Sequence, residues 1–141
     1  MSHPYIEGQT PEGTLRYYSQ RQADYESKLE MIPDCKEADY PDGGRYIGQM
    51  VGMDIREGQG IYKYPSGDVY FGSWLNDGFS GQGVYIFGSG EVYDGLLLDN
   101  VKEGLGTYYY DNANAYYSGN WSQDLKNGSG VMNSPDEYYE G

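Results

Sequence analysis

The chain has 141 residues, 38% of them apolar, a mean hydropathy of −0.79 and a net charge of −13 from 22 acids against 9 bases. That length holds one domain with an extension, and the polarity argues against a large globular core. Duplex nucleic acid is excluded as a partner, because no Lys/Arg cluster exists to neutralise phosphates, and no apolar run approaches the ~20 residues that cross a bilayer.

The first residues, Met1 to Glu7, lack the basic flank and apolar stretch of a secretory signal. The single Cys35 rules out an internal disulfide and fits a reducing, cytosolic or cytoskeletal setting. Thr10 suits an N-cap, Pro11 the first helical position, and Glu12 the positive helix end. Leu15, Tyr18, Gln22, Tyr25, Leu29 and Ile32 then follow at spacings of three and four, a narrow apolar stripe. The spacing predicts a helix over residues 11–31, stopped by Pro33. With a glutamine and two tyrosines in the stripe, docking onto a larger surface is expected rather than a strong coiled coil. Residues 33–44 read as a linker, completing an N-terminal arm of residues 1–44. Its Tyr40-Pro41-Asp42-Gly43 resembles the later Tyr64-Pro65-Ser66-Gly67, as the tail of a degenerate earlier repeat would.

From residue 45 onward one phrase recurs. Gly48, Gly72, Gly95 and Gly119 lie 24, 23 and 24 residues apart, each with a tyrosine two positions before it: Tyr46, Tyr70, Tyr93 and Tyr117. Two positions after stand Met50, Trp74, Leu97 and Trp121, and a Gly-x-Gly follows nine or ten residues after each phrase glycine. A fixed period of this length means a repeat architecture, here repeats of about 45–69, 70–92, 93–115 and 116–138. Within each repeat the apolar residues alternate with period two, which predicts strands. Asn76-Asp77-Gly78 carries hairpin chemistry, and Asn127-Gly128 carries it in the fourth repeat. The regular glycines leave room for a neighbouring aromatic ring to lie flat on the sheet. Gly67 and Gly90 supply positive φ at the turns into the next repeat, a place taken by Ala113 between Asn112 and Asn114 in the third.

Tyr70-Phe71-Gly72-Ser73-Trp74, then Gly81-Gln82-Gly83-Val84-Tyr85 and Gly90, resemble the MORN repeat (membrane occupation and recognition nexus). Four copies in register over residues 45–141 carry the resemblance, with departures at Met50, Leu97, Met132 and Asp136. It implies an all-β fold: an elongated, single-layer antiparallel meander of hairpins with an aromatic-lined groove, here preceded by the helical arm. It also implies partner docking rather than catalysis. Tyr139-Glu140-Gly141 opens a further copy, so a C-terminal strand edge able to pair with another chain is expected.

Two faces are candidates for that docking. Tyr46, Trp74, Tyr85, Tyr93, Tyr108 and Trp121 share one parity, with two roles open: the packing of the fold itself, and the lining of a peptide groove. On the opposite parity Ile47, Phe71, Leu75, Ile86, Leu96 and Leu98, with Val51, Ile61, Val84 and Leu105, form an apolar face. Left bare it would expose about 500–800 Å², more than soluble monomers tolerate, so either the chain's own helix or a partner covers it. Other chemistry finds no support. The Gly-x-Gly pairs lack the third glycine and following helix of a phosphate loop. A calcium-binding roll would repeat about every nine residues. His3, the one histidine, has no ligand or catalytic partners at suitable spacing. The dispersed acids, Asp94 and Asp99 among them, read as a solvated surface. No cofactor or metal is expected.

The expected function is therefore a non-enzymatic scaffold subunit of a large cytoskeletal assembly, of which the resemblance points to the ciliary axoneme. Two alternatives are an adaptor that binds a motor or kinase tail peptide in the aromatic groove and a module attached to phospholipid. Electrostatics opposes the second, since residues 45–141 hold five bases against thirteen acids.

Overall fold

Among the described residues ten antiparallel strands follow one another in space in the order in which they follow in sequence, so every connection is local. The computed structural model describes residues 11–110, 115–133 and 138–140. Helix α1 (Pro11–Leu29) precedes β1 (Cys35–Asp39), β2 (Arg45–Val51), β3 (Ile55–Lys63), β4 (Val69–Leu75) and β5 (Gly78–Ile86). Then come β6 (Val92–Leu98), β7 (Val101–Tyr109), β8 (Tyr116–Ser122), β9 (Leu125–Asn133) and β10 (Tyr138–Glu140). The readings placed on His3, Thr10, Asn112, Ala113, Asn114, Asp136 and Gly141 lie outside the described residues. With strands about 4.8 Å apart, the sheet is roughly 43 Å from first strand to last.

Two kinds of turn alternate along this ribbon. Within repeats two to four the strands are joined by two residues, both at positive φ: Asn76/Asp77, Asp99/Asn100 and Gln123/Asp124; the first repeat uses three, Gly52 to Asp54. That backbone matches the right-handed twist of the flanking strands. Between repeats the turn is longer, with Gly67 and Gly90 in the left-handed region and closing bonds such as Tyr64 N–H to Asp68 carbonyl, 2.9 Å. The fourth hairpin thus turns at Gln123/Asp124, and the expected turn at Asn127-Gly128 is corrected. Gly128 instead lies inside β9, at positive φ like Gly58, Gly81 and Gly104 in the earlier repeats.

Past the glycine pairs the ladders shift register. Gly72 pairs with Gly83 but Trp74 pairs with Phe79, so one residue of β4 spans three of β5. The two extra residues are an even number, and side-chain parity survives. The same shift follows Gly48, Gly95 and Gly119. Two separate apolar clusters result, one on each face of the sheet.

The stretch expected as a linker contains β1. Its sequence, Cys-Lys-Glu-Ala-Asp, has little strand propensity of its own, and pairing with β2 makes it a strand. The Tyr40 to Gly44 turn that follows, closed by Tyr40 N–H to Gly44 carbonyl at 2.9 Å, repeats the geometry of the later inter-repeat turns. Helix α1 ends at Leu29, and Met31 and Ile32 close a tighter turn onto Lys28 and Leu29.

Candidate partner-docking faces

Each repeat builds its aromatic face from a tyrosine laid across a bare pair of glycines. Gly72 and Gly83 sit opposite one another, and a Cβ on Gly83 would collide with the Tyr70 ring. The ring lies flat, and its hydroxyl donates to the Ser73 carbonyl at 2.8 Å. Tyr46, Tyr93 and Tyr117 do the same to the carbonyls of Gln49, Leu96 and Asn120. Burial pushes the phenol pKa of Tyr46, Tyr70 and Tyr93 upward, so these hydroxyls remain neutral donors. Trp74 and Trp121 reach back one repeat, their indole N–H groups donating to Gly60 and Gly106 carbonyls at 3.0 and 3.1 Å.

Over this floor runs a second row, half-exposed except at the buried Tyr62. Tyr40, Tyr62, Tyr64, Tyr85, Phe87, Tyr108 and Tyr110 follow each other with ring centroids 4.6 to 6.0 Å apart, crossing the strands. Acids in the inter-repeat turns hold it. Asp42 accepts from Tyr62, Asp68 from Tyr85 and Glu91 from Tyr108, at 2.7, 2.8 and 2.7 Å. The opposite turns carry a matching clasp: the Oδ1 atoms of Asp77, Asn100 and Asp124 accept the backbone N–H of Arg56, Phe79 and Lys102, one hairpin back. The Arg56 N–H and, with its own guanidinium, the charge of Arg56 hold the Asp77 carboxyl below the ordinary carboxylate value. The expectation that the dispersed acids form a plain solvated surface is therefore corrected for these five turn acids and for Asp94, whose side chain is 8% exposed.

A third row flanks the rings. The residues paired with Met50, Trp74, Leu97 and Trp121 are Arg56, Phe79, Lys102 and Lys126. Arg56 lies 4.8 Å from Trp74 and 5.4 Å from the Tyr62 centroid. Lys102 lies 5.3 Å from Trp121, and Lys126 5.3 Å from Tyr117 and 5.5 Å from Tyr110. Lys102 and Lys126 border an open pocket of about 580 Å³ floored by Tyr108, Tyr110 and Trp121.

The predicted groove residues thus divide. Tyr46, Trp74, Tyr93 and Trp121 are buried framework, whereas Tyr85 and Tyr108 are half-buried and present ring surface. The sequence reading missed Arg56, Lys102 and Lys126, although their spacings of 46 and 24 residues follow the repeat.

The other face has an occupant. Tyr18 and Leu29 of α1 are each only 1% exposed, in one cluster with Ile61, Phe71, Val84, Ile86, Val92 and Tyr109. Polar contacts fix the helix in place. Tyr18 Oη and Arg21 Nη1 both donate to Asp94 Oδ2 at 2.8 Å, and Tyr25 Oη lies 2.8 Å from Gln59 Oε1 and 3.0 Å from the Gly72 carbonyl. Lys63 pairs with Glu26 at 3.0 Å. Of the predicted apolar set, Phe71 and Ile86 are buried and Ile47 is half-buried. Leu75, Leu96 and Leu98 lie beyond the helix and are 55%, 38% and 56% exposed.

No group of residues suited to a metal ion occurs among the described residues, and no helix among them is long and apolar enough to cross a membrane. Comparison with protein families matches the MORN repeat at residues 46–69, 70–92, 93–114 and 117–137. No curated protein matches the chain.

Proposed function

Because the chain belongs to the MORN-repeat family, we propose that it is a non-enzymatic scaffold subunit that docks another protein on its open aromatic face. One observation carries this reading: the two faces are treated differently. The aliphatic face is occupied by the chain's own helix, while the ring row from Tyr40 to Tyr110, Tyr62 apart, stays half-exposed, with no cover among the described residues. Proteins that present aromatic surface at low entropic cost gain contact area without ordering long side chains.

In this role the clasped hairpins act as a spacer of fixed pitch, and the rings act as the contact surface. The edge of β10 is a further point at which a neighbouring chain adds a strand. The family resemblance extends the proposal to a cytoskeletal assembly, the ciliary axoneme in particular. Imaging of the tagged chain tests that extension. Axonemal or other cytoskeletal staining supports it, and diffuse staining together with monomeric sedimentation in cell extract contradicts it.

A further inference from the structure

We infer that the partner segment on the aromatic face is an extended acidic peptide that meets the sheet at every third residue, with carboxylates at three of four successive contact positions and an apolar residue at the other. The inference rests on the docking reading above and assigns the chemistry of what docks. Its basis is the row Arg56, Phe79, Lys102 and Lys126, which occupies equivalent positions on β3, β5, β7 and β9. Residues 45–141 hold five bases in an excess of acid, and three of the five stand in this one row.

Their charges are arranged for capture. All three lie over aromatic rings, 4.8 to 5.3 Å from the nearest centroids, and the Arg56 and Lys102 side chains are largely buried. Arg56 and Lys102 are steadied by one carboxylate each, Asp77 at 3.1 Å and Asp124 at 3.3 Å. Lys126 has no carboxylate within ion-pair distance among the described residues and is exposed. It stands at the mouth of the pocket floored by Tyr108, Tyr110 and Trp121, whose one lining carboxylate, Asp124, is paired with Lys102. A carboxylate there gains a charge-assisted bond, and its apolar neighbour gains the ring floor.

Pitch decides the form of the peptide. Equivalent positions are two strands apart, about 9.6 Å. A polyproline II chain rises about 9.3 Å in three residues and returns to the same side at each third residue. A β-strand puts its third residue on the opposite side. The row therefore reads, strand pair by strand pair, acid over Arg56, apolar over Phe79, acid over Lys102 and acid over Lys126.

The test uses the full chain and synthetic ten-residue peptides with proline-rich spacers, read by fluorescence anisotropy at low and physiological salt. The peptide carrying glutamates at the first, seventh and tenth positions and leucine at the fourth, or its reversed order, is expected to bind at least tenfold more tightly than peptides with glutamates two or four residues apart. Lys126→Glu is expected to weaken binding tenfold or more, and Lys126→Gln severalfold, with unchanged circular dichroism as the control for folding. Equal binding by the two-residue or four-residue series overturns the inference. So does equal binding by a glutamine peptide, which leaves docking on the aromatic face intact but removes its acidic chemistry. Flotation with phosphoinositide vesicles in the absence of peptide binding overturns both this inference and the protein-docking reading beneath it.

Discussion

Gly83 and Tyr70 show how a residue without a side chain creates a core. Adding one methyl group at residue 83 displaces the ring that covers it, and the Tyr70 hydroxyl then loses the Ser73 carbonyl. Gly83→Ala is expected to cost about 2–4 kcal/mol in urea titration, the sum of overpacking and a lost hydrogen bond. The glycine and tyrosine roles were legible because the period places them together four times. The roles of the turn residues were not. Asp77, Asn100 and Asp124 are ordinary turn residues to a local reading, and their bonds go to the preceding hairpin, which no single repeat reveals. The lowered carboxyls of Asp77 and Asp42 also give an acid limb of known sign. The folded chain binds those protons more weakly than the unfolded chain, so their stabilisation is complete above the ordinary value of 3.8 and is lost as pH falls through the lower folded values. Melting temperature is expected to drop between about pH 5 and pH 2. Asp77→Asn, which copies Asn100 of the next repeat, is expected to flatten that limb while keeping the turn.

Helix α1 was legible as an element and as a stripe, since Tyr18, Tyr25 and Leu29 are residues it buries or half-buries. Its destination was left between its own sheet and a partner, because the choice depends on Asp94, a lone acid at a strand position. In the fold Asp94 receives both Tyr18 and Arg21, with its side chain 8% exposed. Asp94→Ala leaves a guanidinium and a phenol without their acceptor, a loss of about 1–3 kcal/mol. The effect is expected at the helix first. Amide exchange in α1 should speed up while β4 to β7 keep their protection, and uniform loss of protection would contradict a separately docked helix. Strand β1 escaped the sequence reading because it lacks alternation, and its partner β2 supplies the order. Its exposed Lys36, Glu37 and Asp39 also discourage edge-to-edge pairing at that end of the sheet.

At the scale of the whole molecule, ten strands in sequential order make a ribbon whose two faces have separate tasks. One is closed by the arm that precedes it, apart from an exposed margin at Leu75, Leu96 and Leu98. The other presents rings and cations at a constant pitch. The repeat count and the strands follow from periodicity and the antiparallel meander from the family resemblance, whereas the division of labour between faces needed the helix in place. Site-specific photocrosslinking in cells tests that division most directly, with benzoylphenylalanine placed at Phe87 in the ring row or at Leu98 on the helix side. The account predicts a protein adduct from position 87 and little from position 98. Adducts confined to position 98 would contradict it.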